Sequence, residues 1–167
     1  MALTSYQFRN QPYWLGFVFA GQAFTVSYRS TIKPGDTLYI QISTGKDTIT
    51  HITNRIITSQ LEQLGIKLIE NPSFIDGKKQ IPVINLDGRS KIQAATSFYS
   101  DASDVYGGIK LEESMIPRCA FYGGSPVESL LYERILRYDT NYILAITNEG
   151  FYPNNTVVSM AFYESGN

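Results

Sequence analysis

The sequence holds one cysteine, Cys119, and one histidine, His51, in 167 residues. A lone cysteine makes no internal disulfide. Cys119 stands in the run Pro117-Arg118-Cys119-Ala120-Phe121 and reads as a buried, unreactive thiol. A lone histidine excludes a multi-histidine metal site and any triad assembled around a second histidine, so His51 reads as a structural or surface residue. Charge is scarce too. Charged residues make up 17% of the chain, against about 25% in an average soluble protein. A net charge of −1 provides no field to attract nucleic acid or an anionic membrane. No apolar run of about 20 residues occurs, and no basic segment leading into an apolar stretch opens the chain; the expectation is a protein made in the cytoplasm. Helical periodicity is nearly missing. Residues 59–64 are the one local candidate, readable as one helical turn or as a bulged connection, and they are short for an independent helix.

What the sequence has is aromatic residues, 13% of the chain and mostly Tyr and Phe, in short segments of alternating character. Residues 142–147 place Tyr142, Leu144 and Ile146 on one face and Ile143, Ala145 and Thr147 on the other, the period of a strand. Residues 156–163 follow, with Val158, Met160 and Phe162 inward. Earlier, Phe24, Val26 and Tyr28 alternate with Thr25 and Ser27. Residues 37–44 set Leu38, Ile40 and Ile42 against Tyr39, Gln41 and Ser43. Further strands are predicted over 49–58, 65–70, 81–86, 91–99, 109–112 and 130–137, with Pro82 marking an edge or a strand start. Lys33-Pro34-Gly35-Asp36 predicts a type II turn, with Pro34 at its second position and Gly35 at its third. Residues 13–19, YWLGFVF, form the most aromatic run. They read as a strand buried on both faces; the other reading makes Trp14, Phe17 and Phe19 a sugar-stacking or partner-docking surface. Asp36 to Ile40 and Asp139 to Ile143 share the pattern D-T-x-Y-I, as two related positions in a two-sheet sandwich would.

Signals for chemistry fail on inspection. Gly45-Lys46-Asp47 lacks the earlier glycine and the hydroxyl of a phosphate-binding loop. Asp101 and Asp104 lack the oxygen series and central glycine of a calcium loop. Glu112 and Glu113 are neighbours on a strand, so they point to opposite faces and cannot converge on one bond. No catalytic, cofactor-binding or metal-binding residues are assigned, and no cofactor. Eight to ten short strands with turn signals every 8–12 residues predict an all-β, antiparallel β-sandwich, jelly-roll-like, of one domain over residues 13–167. Residues 1–12 are polar and irregular, a short N-terminal arm or tail.

The order of these features resembles that of head decoration, or capsid cement, proteins of tailed-bacteriophage virions. The resemblance runs from about Phe17 to Glu164. It includes a Pro/Gly turn before a Tyr-rich strand ending in Thr-Gly (residues 32–45) and a strand closing in Glu-Asn-Pro (68–72). A Pro-Val-x-Asn-Leu segment leading to an Arg (82–89) and a glycine-rich loop follow. Tyr-hydrophobic alternation, Thr-Asn and a final aromatic-Glu close the pattern (142–148 and 162–164). The longer 49–64 region and the aromatic N-terminus depart from it. The resemblance implies a jelly roll without catalytic residues that binds the head exterior as a dimer or trimer. Its partners would be the major capsid protein and further copies of itself, with no nucleic acid and no membrane. Phe8, Arg9, Tyr13 and Trp14 are the candidate capsid or protomer interface residues. The alternatives are a carbohydrate-binding β-sandwich module or fibre-associated phage protein, in which Tyr13 or Trp14 would be exposed, and a cupin-like enzyme, for which one histidine is too few.

Overall fold

The computed structural model describes residues 13–118, 127–129 and 133–166. It is nearly all β, at 61% strand and 4% helix, as the alternation predicted. The strands are β1 (Ala23–Ile32), β2 (Thr37–Ser43), β3 (Thr48–Ser59), β4 (Leu64–Glu70), β5 (Ser73–Ile75), β6 (Lys79–Ile81), β7 (Val83–Asn85), β8 (Ser97–Ser100), β9 (Ser103–Tyr106), β10 (Ile109–Ile116), β11 (Val127–Ser129), β12 (Arg134–Leu136), β13 (Asn141–Asn148) and β14 (Asn154–Gly166). The first sheet runs β11-β3-β14-β1-β7, with β12 also on β3; the second runs β10-β4-β13-β2-β8-β6. Each of these pairings is antiparallel.

Period-two burial brings the sheets together. Phe24, Val26, Ile52, Ile57, Val158, Met160 and Phe162 of the first sheet share one core with Leu38, Ile40, Ile42, Leu64, Ile66, Leu68, Phe98, Tyr142, Leu144 and Ile146 of the second. The alternation read from residues 24–28, 37–44, 142–147 and 156–163 is the one observed, with Val158, Met160 and Phe162 inward. Burying each large side chain contributes about 1.5–3 kcal/mol. On the outer side of the second sheet, Ile143, Ala145 and Ala102 form a smaller cluster beneath Tyr39, Phe74 and Val105, because β5 and β9 pair into a two-stranded sheet that lies there. Strand β13 is therefore buried on both faces.

The chain crosses between sheets at turns with identifiable chemistry. Asp36 N–H bonds the Lys33 carbonyl at 3.0 Å with Gly35 at φ 77°, the type II turn the sequence predicted. Asn148, fully buried, donates to the carbonyls of Ile32 and Tyr152 and accepts from Gly150 N–H. Asn154 accepts from the N–H groups of Gln60 and Leu61 and donates to Ser59 Oγ. Such partners remove the cost of burying amides at the crossings.

Several expectations are corrected. Residues 13–19 do not form a buried strand: Leu15–Phe19 is a short helix, α1, with no buried residue. Of the two readings of residues 59–64 the connection is the one observed: residues 60–62 bend between the end of β3 and the start of β4, and no helical turn forms. Residues 81–86 do not form one strand, because Pro82 separates β6 in the second sheet from β7 in the first. Of residues 91–99 only the end joins a strand, β8, and Asp104 lies within β9. The D-T-x-Y-I echo falls on paired neighbours, β2 and β13, yet Tyr142 enters the main core while Tyr39 packs on the outer cluster, so the two copies are not structurally equivalent. Glu112 and Glu113 do diverge. Glu112 turns inward to Arg55 and Arg134, and Glu113 turns outward to Lys67 and Lys110. Cys119 lies outside the described residues.

Candidate functional site

Of the four residues singled out as an interface, Phe8 and Arg9 lie outside the described residues. Tyr13 and Trp14 stand at the start of α1, 63% and 37% exposed. The helix is short because it is stopped at once. Gln22 N–H bonds the Phe17 carbonyl at 2.8 Å and Gly21 N–H bonds the Val18 carbonyl at 2.9 Å, a paired C-terminal cap that needs the positive φ of Gly21, 71°. A side chain at Gly21 would also strike Ser90. The apolar run followed by Ala20-Gly21 was the sequence signal for this stop.

The anchor of α1 is Tyr163 of β14, nearly buried. Phe17 stacks on its ring at a centroid distance of 4.0 Å, and Tyr13 meets it edge-on at 6.2 Å. His51, directly opposite Tyr163 in the ladder, stacks on it at 4.4 Å. Glu133 ties this group together, with one carboxylate oxygen 2.6 Å from His51 Nδ1 and 2.7 Å from the Tyr163 hydroxyl. A carboxylate only accepts, so Nδ1 carries the proton and Nε2 of the neutral ring accepts from Ser165 Oγ at 3.0 Å. Burial pushes the Tyr163 hydroxyl well above its ordinary range, helped by the hydrogen bond to Glu133 and that carboxylate's charge. Burial also holds His51 below its ordinary value. Serine, imidazole and carboxylate follow the order of a nucleophilic triad. Here, however, the ring is covered by Tyr163, which also shares the carboxylate. The group bolts β3, the end of β14 and the start of β12 to α1. Sequence reasoning missed it because the partners lie 30 to 114 residues apart and no local pattern links them.

Beside this bolt, Trp14, Leu86, Ala23, Ala161 and Phe162 line a depression of about 350 Å³, with Thr53, Asn54 and Tyr163 on its wall. Leu86 is 41% and Phe19 60% exposed. The surface is aromatic and nearly uncharged, suited to contact with another apolar surface. Among the described residues no group of three or more His, Cys, Asp or Glu side chains gathers to hold a metal, and no helix is long and apolar enough to cross a membrane. No family model matches the chain, and none of the curated proteins compared with it does.

Proposed function

We propose that this chain is a structural virion protein, a decoration or cement protein that binds the exterior of a tailed-phage head and links capsid subunits, with no catalytic role. The observation that carries the reading is the aromatic corner at Trp14: exposed, nearly uncharged, and placed where residues 1–12 join the sandwich. The architecture supports it. The long strands alternate so that β1 lies beside β14 and β2 beside β13, as interlocked strands would on a jelly-roll reading. The partners on this reading are the major capsid protein and one or two further copies of the chain. Joined protomers each grip a capsid subunit, and the second grip is effectively intramolecular.

Exposure of Tyr13 and Trp14 also meets the condition set for a sugar-binding platform. The lining of this depression favours protein. Leu86, Ala23, Ala161 and Phe162 offer apolar contact, whereas a saccharide needs several convergent donors and acceptors. The test is co-sedimentation with phage heads stripped of decoration. Saturable binding at a fixed ratio to the capsid protein, weakened in Trp14→Ala and on deletion of residues 1–11, is the expected result. A monomer that never binds a head overturns the reading.

A further inference from the structure

A second surface has different chemistry. At one end of the second sheet, Ser97 of β8, Ser43 of β2 and Asn141 of β13 stand opposite one another in the ladder. Their strand neighbours Phe98, Ile42 and Tyr142 enter the core, so these three face outward. Adjacent strands lie about 4.8 Å apart, and the row therefore presents polar side chains at close, regular spacing. Gln41, 5% exposed, fixes what surrounds the row. Its amide NH2 donates to Ser43 Oγ at 3.1 Å and to Asp76 Oδ1 at 3.0 Å, and its carbonyl accepts from Gly77 N–H at 2.9 Å. Ser43 Oγ in turn donates to Asn141 Oδ1 at 2.7 Å.

These bonds consume one oxygen of Asp76 and the oxygen of Asn141. Asp76 Oδ2 and the Asn141 NH2 have no partner among the described residues, and both residues are exposed. A held carboxylate beside a held amide is an acceptor next to a donor, the complement of a hydroxyl group, which does both. Asp76 and Asn141 form a shared wall between two open depressions. One, of about 440 Å³, is lined also by Ser43, Ser97 and Tyr99. The other, of about 450 Å³, is lined also by Phe74, Asp104 and Tyr106. Each has a tyrosine, and Tyr106 is 69% exposed. A tyrosine ring offers an apolar face for a ligand's C–H groups and a hydroxyl at its tip.

We propose that this face binds a neutral saccharide of at least two sugar residues, one in each depression, with Asp76 and Asn141 gripping hydroxyls at the junction. Asp76 and Asp104 disfavour uronic or sialic acids by charge. The site is separate from the aromatic corner, so it stands or falls independently of the capsid reading. Because Gln41 and Ser43 already hold Asp76 and Asn141 in place, little ordering remains on binding.

The experiment is amide NMR titration of the intact protein with tetrasaccharides of glucose, galactose, mannose and N-acetylglucosamine at millimolar concentration, repeated with Asp76→Asn and Tyr106→Ala. At least one sugar is expected to shift Gly77, Asn141 and Tyr106. Each variant is expected to weaken it about tenfold or more, as loss of a bond to a charged group or of a stacking ring does. Both substitutions are at exposed positions, and unchanged melting temperatures separate lost binding from lost folding. Trp14→Ala should leave sugar binding untouched, and Asp76→Asn should leave head binding untouched. Silence across the panel, shifts that map to Trp14, or equal affinity in both variants overturns the proposal.

Discussion

The two flanks of the sandwich are closed by different means. On one flank the chain passes from β6 in the second sheet to β7 in the first through Pro82 alone, so a covalent bond joins the sheet edges. On the other, the sheets meet through charge. Arg55, 3% exposed, turns inward from β3 to Glu112 on β10, and Arg134 of β12 reaches the second oxygen of the same carboxylate at 3.3 Å. A covalent crossing is insensitive to its surroundings. A buried ion network depends on every member being present, because the desolvation of each charge is offset only by its partners.

The comparison can be broken most sharply at Glu112. Glu112→Ala removes the carboxylate that Arg55 and Arg134 share and is expected to lower stability by about 3–5 kcal/mol, read as the urea midpoint. A double-mutant cycle between Arg55→Met and Glu112→Met isolates the coupling of that pair; a coupling near zero would show that packing, not charge, closes this flank. Leu144→Ala, midway between the flanks and inside the main core, is expected to cost about 2–5 kcal/mol. Ile143→Ala, beneath the small β5–β9 cover, should fall at the lower end of that range because the cover can settle into the space.

The next effect is a tie that uses neither flank. Glu164 accepts from the N–H groups of Ala95 and Thr96 at 2.9 and 2.7 Å, holding the approach to β8 against β14. Glu164→Ala is expected to cost about 1.5–3 kcal/mol and to raise amide exchange at Thr96. The smallest change is Pro82→Ala, which keeps the crossing and frees the unfolded chain, for about 0.4–1 kcal/mol.

A pH scan separates the His51 bolt from both flanks. Its folded value lies below the ordinary 6.5 through burial, so the unfolded chain binds the proton more readily. The contribution is present above about pH 6.5 and is lost as pH falls toward the folded value. The melting temperature should drop between pH 7 and 5, and His51→Gln should flatten that part of the drop.

Much of this architecture was legible because it is local. Lys33 to Asp36 carries its own turn chemistry, and the inner faces of β2, β13 and β14 follow from alternation alone. What was hidden depends on distant partners. β5, β6 and β7 are three residues each and exist only because β9, β8 and β1 pair with them. The helix at residues 15–19 was hidden by an aromatic run that suits a strand equally well, and the Gly21 stop was the missed clue. Tyr13 and Trp14 could be named from their chemistry, but the bolt that seats them joins residues far apart in the chain. The polar face around Asp76 was illegible for the same reason, since Gln41, Asp76 and Asn141 come from three separate segments.

The place of β14 has a consequence for how the molecule comes into being. Its strand, Asn154–Gly166, pairs with β1 on one side and β3 on the other, and lies 122 or more residues after β1. During synthesis β1 and β3 emerge long before the strand that separates them, and until β14 leaves the ribosome each has only short neighbours, β7 beside β1 and β11 and β12 beside β3. A topology so rich in distant pairings folds slowly and exposes unpaired edges while it waits. The nascent chain is therefore at its most vulnerable just before β14 emerges, and a ribosome stalled short of residue 154 would hold a chain that lacks the central strand of its first sheet.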